Sequence, residues 1–183
     1  MTANASTSWL DDDEAEAWLA LASILQVLPA ALDAQLTHDA DLTFFEFLVL
    51  AQLAEVGDEP MRLSELASAT HATLPRLSRV LAGLESDGLV TRQVSSDDAR
   101  SRHAHLTDTG WERLAQAAPG HVARIRELFV ERLTREQVRQ VRRIGDRILA
   151  GIDPAQRVLA GTRGSARGRQ GLSRFPTRPR TED

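Results

Sequence analysis

The chain has 183 residues, of which 42 % are hydrophobic and 26 % charged, and a formal net charge of −4. That is enough for one sizeable core, or for a reading module with an association element, and too little for two independent large domains. Cysteine and lysine are both absent, so all 22 basic residues are arginine. Disulfides, thiolate catalysis, Schiff bases and the lysine of a P-loop are thereby excluded.

Charge changes sign along the chain. Residues 1–61 hold twelve acids and no arginine, residues 62–153 hold fifteen arginines against twelve acids, and residues 154–183 hold seven arginines against two acids. The apolar stretch Trp18–Leu32 is interrupted by Ser23, Gln26 and Pro29 and preceded by Asp11-Asp12-Asp13-Glu14. It lacks the basic flank of a secretory signal and the length of a span. A soluble, cytoplasmic chain with no membrane partner is expected.

Taken in order, residues 1–12 are small and polar and read as a disordered start. From about Asp13 a helix is expected. Its acids suit the N-terminal dipole, Trp18, Leu21, Leu25, Leu28, Leu32 and Leu36 recur at spacings of three and four, and Pro29 should kink it. A second apolar set, Leu19, Ile24, Val27 and Ala31, widens the stripe as in a helix shared between subunits.

Thr43-Phe44-Phe45-Glu46 is a capping box, with Leu42 and Phe47 as its hydrophobic staple, opening a helix that ends at Gly57. Met61-Arg62-Leu63 reads as extended, and Ser64 as the cap of a helix from Glu65 to about Thr70. After a turn at His71-Ala72, Thr73 caps a third helix with Pro75 in its first turn, closed by Gly88.

Leu89–Val94 and His103–Leu106 flank a polar loop and form a hairpin. Thr107 caps a helix that Pro119-Gly120 should break, a further helix covers His121–Leu133, and a second capping box, Thr134-Arg135-Glu136-Gln137, opens a last helix ending at Gly151. Residues 153–183, rich in Arg, Gly, Ser and Pro without apolar period, read as a disordered tail.

The fold class is therefore mostly α with a small β hairpin. Residues 61–106 form a winged helix-turn-helix, and residues 13–60 and 107–152 a flanking helical dimerisation region. On the third helix Leu77, Val80, Leu81 and Leu84 share one arc, while Pro75, Ser78, Arg79 and Ala82 lie opposite and Arg76 flanks them. Small residues let a helix sink into the major groove, where arginine reads guanine and Thr73 and Ser78 reach phosphate or base. In the hairpin loop, Arg100 is placed to enter a minor groove, steadied by Asp98, with Arg102 beside them.

Several segments carry a resemblance. Leu42-Thr43, Phe47-Leu48-Val49-Leu50, Leu63-Ser64-Glu65-Leu66-Ala67, Ser78-Arg79, Leu84-Glu85-Ser86-Asp87-Gly88-Leu89-Val90, Asp98-Ala99-Arg100 and Leu106-Thr107-Asp108-Thr109-Gly110 stand in the order and at the intervals of the MarR family of regulators. The chain resembles that family over roughly residues 14–151. The resemblance implies a homodimer built from the first and last helices, with each subunit reading half of a pseudo-palindrome on double-stranded DNA. It also implies release, in many members, by a small aromatic or phenolic ligand bound between the dimer and reading regions. Two departures stand out: Ala99 replaces a frequent arginine, and the arginine-rich tail lies outside the usual family core.

Trp18, Phe44, Phe45 and Trp111 are the aromatic candidates to line such an effector pocket. His103 and His105 alternate on one strand without a third ligand at a regular interval, so no metal and no cofactor are expected. An enzyme is not expected either, for want of any nucleophile elbow, HExxH or convergent acid and histidine set. The expected activity is a sequence-specific DNA-binding regulator, a repressor. The alternative is a winged helix that binds a protein partner without sequence-specific DNA binding, which the acidic composition favours.

Overall fold

The computed structural model describes residues 9–94, 102–153, 155 and 158. The expectations for residues 1–8, for the hairpin loop at 95–101 and for nearly all of the tail lie outside them.

Helix α1 spans Asp12–Ala40. Its start is set by a capping box where the sequence suggests only dipole charge: the Asp11 carboxylate accepts from the Glu14 amide at 2.8 Å and the Glu14 carboxylate from the Asp11 amide at 3.0 Å. Pro29 does not end the helix. The carbonyl left without its donor is that of Leu25, an exposed residue, where water can satisfy it. Among the described residues α1 is also the one helix that, by length and composition, could cross a membrane. Only its C-terminal Leu32 and Leu36 are buried.

Helix α2, Phe44–Val56, opens on the expected box: the Thr43 amide donates to Glu46 at 2.8 Å and the Glu46 amide to the Thr43 hydroxyl at 3.2 Å. Asp33 on α1 accepts from the Phe44 amide at 2.7 Å, so a third amide of this first turn is taken by the neighbouring helix.

Strand β1, Met61–Arg62, passes directly into α3, Leu63–Ala69. The expected Ser64 cap is corrected: Arg62 stands at the N-cap with no side-chain hydrogen bond, because its pairing with His103 in the sheet already fixes the chain's entry. The turn to the next helix places His71 at φ 49°, a left-handed conformation uncommon for a side chain with a Cβ. Thr73 then caps α4, Leu74–Ser86, with Pro75 in its first turn as expected.

Strands β2, Val90–Val94, and β3, Arg102–Leu106, form the hairpin, and β1 joins its far side to give an antiparallel sheet of order β1-β3-β2. Helix α5, Asp108–Leu128, follows Thr107, whose hydroxyl accepts from the Gly110 amide at 3.0 Å. The expected break at Pro119-Gly120 is also corrected, since α5 runs through it. Pro119 faces solvent, and Gly120 lies against α1, where an added Cβ would come within 3.2 Å of the Gln35 amide nitrogen. Close packing between α1 and α5 holds a dipeptide that reads locally as a turn. A 3₁₀ turn at Val130–Arg132 leads to α6, Arg135–Ile152, capped by the expected Thr134 and Gln137 box.

Leu36, Leu50, Leu53, Leu66, Leu77, Leu81, Leu84, Leu89 and Leu114 are essentially sealed from solvent and draw α1, α2, α3, α4, the sheet and α5 around one core. Each such leucine contributes about 1.5–3 kcal/mol by removal from water. No residue of α6 is buried.

Candidate nucleic-acid interface

The α3-turn-α4 unit is positioned from behind. Leu77, Leu81 and Leu84 sink into the core, so the opposite face of α4 must point outward, and Thr73, Pro75, Arg76, Ser78 and Arg79 are all exposed. The Thr73 hydroxyl accepts from the Arg76 amide at 3.4 Å and keeps its own proton for an outside acceptor. Among the described residues neither Arg76 nor Arg79 has an ion-pair partner, so both cations are uncompensated. The Arg76 guanidinium carbon lies 4.1 Å from the centroid of the Phe45 ring on α2.

The far end of α4 is tied to the hairpin by a pair that sequence reasoning missed. The Glu85 carboxylate accepts from the Arg92 amide at 3.1 Å and from Arg92 Nε at 2.8 Å, and forms an ion pair with the Arg92 terminal nitrogen. Hydrogen bonding to Arg92 holds the Glu85 carboxyl below its ordinary range. Only the spacing of Glu85 and Arg92 around Gly88 signalled it. Gly88 itself stands at φ 70°, letting the Leu89 amide turn back to the Leu84 carbonyl at 2.8 Å.

The hairpin's root is equally fixed. The Thr107 hydroxyl donates to the Gly88 carbonyl at 2.6 Å and the Thr107 amide to the Leu89 carbonyl at 3.1 Å. A Cβ at Gly110 would stand 2.0 Å from that same Leu89 carbonyl oxygen. On the sheet, the Thr91 hydroxyl lies 2.7 Å from His105 Nε2, across the pair that register places opposite. Arg102 is exposed where β3 begins, opposite Val94. Asp98 and Arg100 lie outside the described residues.

The four aromatic candidates do not form one wall within the chain. Trp111 is buried in the core, with Phe44 and Phe45 half-buried at its edge. Phe44 and Phe47 flank the His121 ring of α5, at centroid distances of 5.8 and 4.4 Å. Trp18 is 56 % exposed on α1, roughly 27 Å along the helix from Leu36.

A helix-turn-helix whose second helix is exposed and basic, followed by a rooted two-stranded hairpin, defines a winged-helix protein. A model of the MarR family matches residues 40–101. The HTH-type transcriptional repressor YetL of Bacillus subtilis is 31 % identical over 101 residues, 55 % of this chain and 60 % of that protein. The transcriptional regulator HosA of Escherichia coli is 37 % identical over 98 residues, 53 % of this chain and 70 % of that protein. Among solved structures, Sco3205, a MarR family transcriptional regulator from Streptomyces coelicolor in complex with DNA, matches at 35 % identity and a TM-score of 0.78, over 84 % of this chain and 96 % of that one. AbsC, a MarR family regulator from the same organism, matches at 32 % identity and a TM-score of 0.73, over 82 % of this chain and 99 % of that one. The chain belongs to the MarR family. It spans 60 % of the length of YetL and 53 % of that of the B. subtilis regulator YkoM.

Proposed function

We propose that this protein is a transcriptional repressor that binds a pseudo-palindromic operator as a homodimer. The observation that carries the reading is the α4 face of Pro75, Arg76, Ser78 and Arg79, exposed and with neither arginine in an ion pair among the described residues. Arg79 donates to a guanine edge, and Thr73 and Ser78 take phosphate or base near the helix start. On sequence grounds Arg100, held by Asp98, reaches the minor groove, with Arg102 on the flanking phosphate.

Dimerisation supplies the second half-site. Trp18, Leu19, Ile24, Leu25 and Val27 on α1 and Val141, Ile144 and Ile148 on α6 are exposed in the single chain. The charges beside them are opposite on balance: Asp12, Asp13 and Glu14 open α1, whereas α6 carries five arginines against two acids, with Arg139 and Arg143 on Glu136 and Arg142 on Asp146. A second copy in which α1 meets α6 covers both apolar faces and sets the α1 acids toward the net positive charge of α6, which a lipid phase would not do for the acids. Residues 13–60 and 107–152 thus serve association and residues 61–106 reading, with the two α4 helices about 34–36 Å apart. A small aromatic ligand that favours another spacing would release the DNA. Of its candidate contacts, Phe44 and Phe45 stand half-buried at the edge of the core, Trp111 inside it and Trp18 on the face given to the partner. The setting is cytoplasmic, and no reaction is assigned to the chain.

The net charge of −4 favours a second reading, a winged helix that binds protein instead of DNA. Selection from random duplexes separates the two. The regulator enriches a palindrome and binds it with an affinity that falls steeply with salt, and Arg79→Ala costs about 10- to 100-fold in affinity together with its base preference. Recovery of no enriched sequence supports the protein-binding reading.

A further inference from the structure

Three phenylalanines lie within the first turn of α2, and they face different neighbours. Phe44 and Phe47 meet His121 on α5, the Phe44 amide is held by Asp33 on α1, and Phe45 alone meets the recognition face, under Arg76. We propose that Phe45 is a positioning residue for DNA reading: its ring holds the Arg76 guanidinium as a preset, second base-reading fork beside Arg79. This rests on the assignment of α4 as the recognition helix.

The chemistry favours a ring over a carboxylate in that role. An acid opposite Arg76 would occupy its N–H donors and cancel its charge before DNA arrived. An aromatic ring attracts the cation through its face without taking up its N–H donors as an acid would, so they stay available for guanine O6 and N7. An unsupported arginine would lose rotamer freedom on binding; one already stacked loses less. Phe45 is itself half-buried against the core and on the same turn that α1 and α5 grip, so the fork stands on a fixed base.

The test uses the full chain and the duplex that selection recovers for it. Phe45→Leu removes the ring, Phe45→Tyr retains it, and each is made with Arg76 intact and with Arg76→Ala. Phe45→Leu is expected to weaken operator binding about three- to tenfold. Affinity for a scrambled duplex, and the melting temperature measured alongside it, should change far less. Phe45→Tyr should bind as the parent does, and the effect of Phe45→Leu should vanish in the Arg76→Ala background. A loss that persists in that background, or equal losses on operator and scrambled duplex, overturns the positioning role. So does unaltered operator binding by Phe45→Leu. Should Phe45→Leu fail to fold, Phe45→Met takes its place under the same criteria. A parent chain that selects no duplex at all would instead overturn the DNA-reading assignment beneath it.

Discussion

The imidazole of His121 lies against the ring of Phe47 with centroids 4.4 Å apart, and its Nδ1 is buried with no hydrogen-bond partner among the described residues. Burial disfavours the imidazolium and lowers its pKa from 6.5 to about 4. Above pH 6.5 the ring is neutral in both folded and unfolded chains and pH changes nothing through it. Below 6.5 the unfolded chain takes up a proton that the folded one refuses, so stability falls until the folded ring titrates near 4. Urea unfolding at pH 5 should therefore give a stability about 2 kcal/mol lower than at pH 7 through this group, a difference that His121→Phe should largely remove. The Glu85 carboxyl, held low by Arg92, acts in the more acid window: its contribution is present above the unfolded value of 4.5 and lost as pH falls below it. An unchanged pH 5 to pH 7 difference in the variant would show that His121 is not the responsible group.

Gly110 has no room for a methyl group. Its Cβ would stand 2.0 Å from the Leu89 carbonyl oxygen, 3.0 Å from the Leu89 carbonyl carbon and 3.1 Å from Leu106 Cδ2. Two of these are backbone atoms pinned by the Thr107 bonds, so relief requires α5 to lift away from the hairpin root. Gly110→Ala should cost about 3 kcal/mol or more, measured by denaturant midpoint. Gly83→Ala, mid-helix with open space around it, should change stability little or raise it. Similar midpoints for the two variants would rule out the close approach.

The contrast between these glycines separates what is legible in a sequence from what is not. The Thr43, Thr73, Thr107 and Thr134 caps are readable because a cap is a local arrangement spanning four residues, and Leu77, Leu81 and Leu84 because helical period fixes a face. Pro119-Gly120 misleads because the outcome is decided by α1, some eighty residues away in sequence. Ser64 misleads because the β1 pairing to β3 overrides a capping preference of about 1 kcal/mol. Of the interface, the exposed arginines of α4 can be placed from period alone. The Phe45 ring beneath Arg76 cannot, since no spacing relates residues thirty-one positions apart.

Covering the exposed α1 face by a second copy predicts how a charge there acts. Leu25 is 61 % exposed in the single chain, so Leu25→Arg leaves its core intact. Within a dimer the guanidinium would be buried against the arginine-bearing α6 of the partner, at a cost of several kcal/mol. Sedimentation velocity should show the parent as a dimer and the variant shifted to monomer, with operator binding lost in parallel. A variant that sediments as the parent does would place the subunit contact elsewhere.

Ile152, Asp153 and Val158 line a cleft of about 540 Å³ together with Ser64, Ser68, Thr73 and Leu74 of the helix-turn-helix, and the Val158 amide donates to the Asp153 carboxylate at 2.9 Å. The last described residues thus lie beside the N-terminal end of α4, and residues 159–183 carry arginines at 163, 167, 169, 174, 178 and 180. Over residues 1–158, by contrast, acids outnumber arginines by 24 to 16, so the part of the chain that carries the recognition helix has a surplus of negative charge. Removal of residues 159–183 should therefore lower affinity for operator and scrambled duplex by the same factor, leaving their ratio unchanged. The dependence of log affinity on log salt should become shallower by about 0.9 for each phosphate that the tail no longer neutralises. Arg79→Ala should behave in the opposite way, collapsing the ratio while leaving the slope little changed, because an arginine on a guanine edge neutralises no phosphate. If truncation instead lowers the ratio, the tail reads bases and specificity is not confined to α4 and the hairpin; if it changes neither affinity nor slope, the tail's arginines take no part in binding.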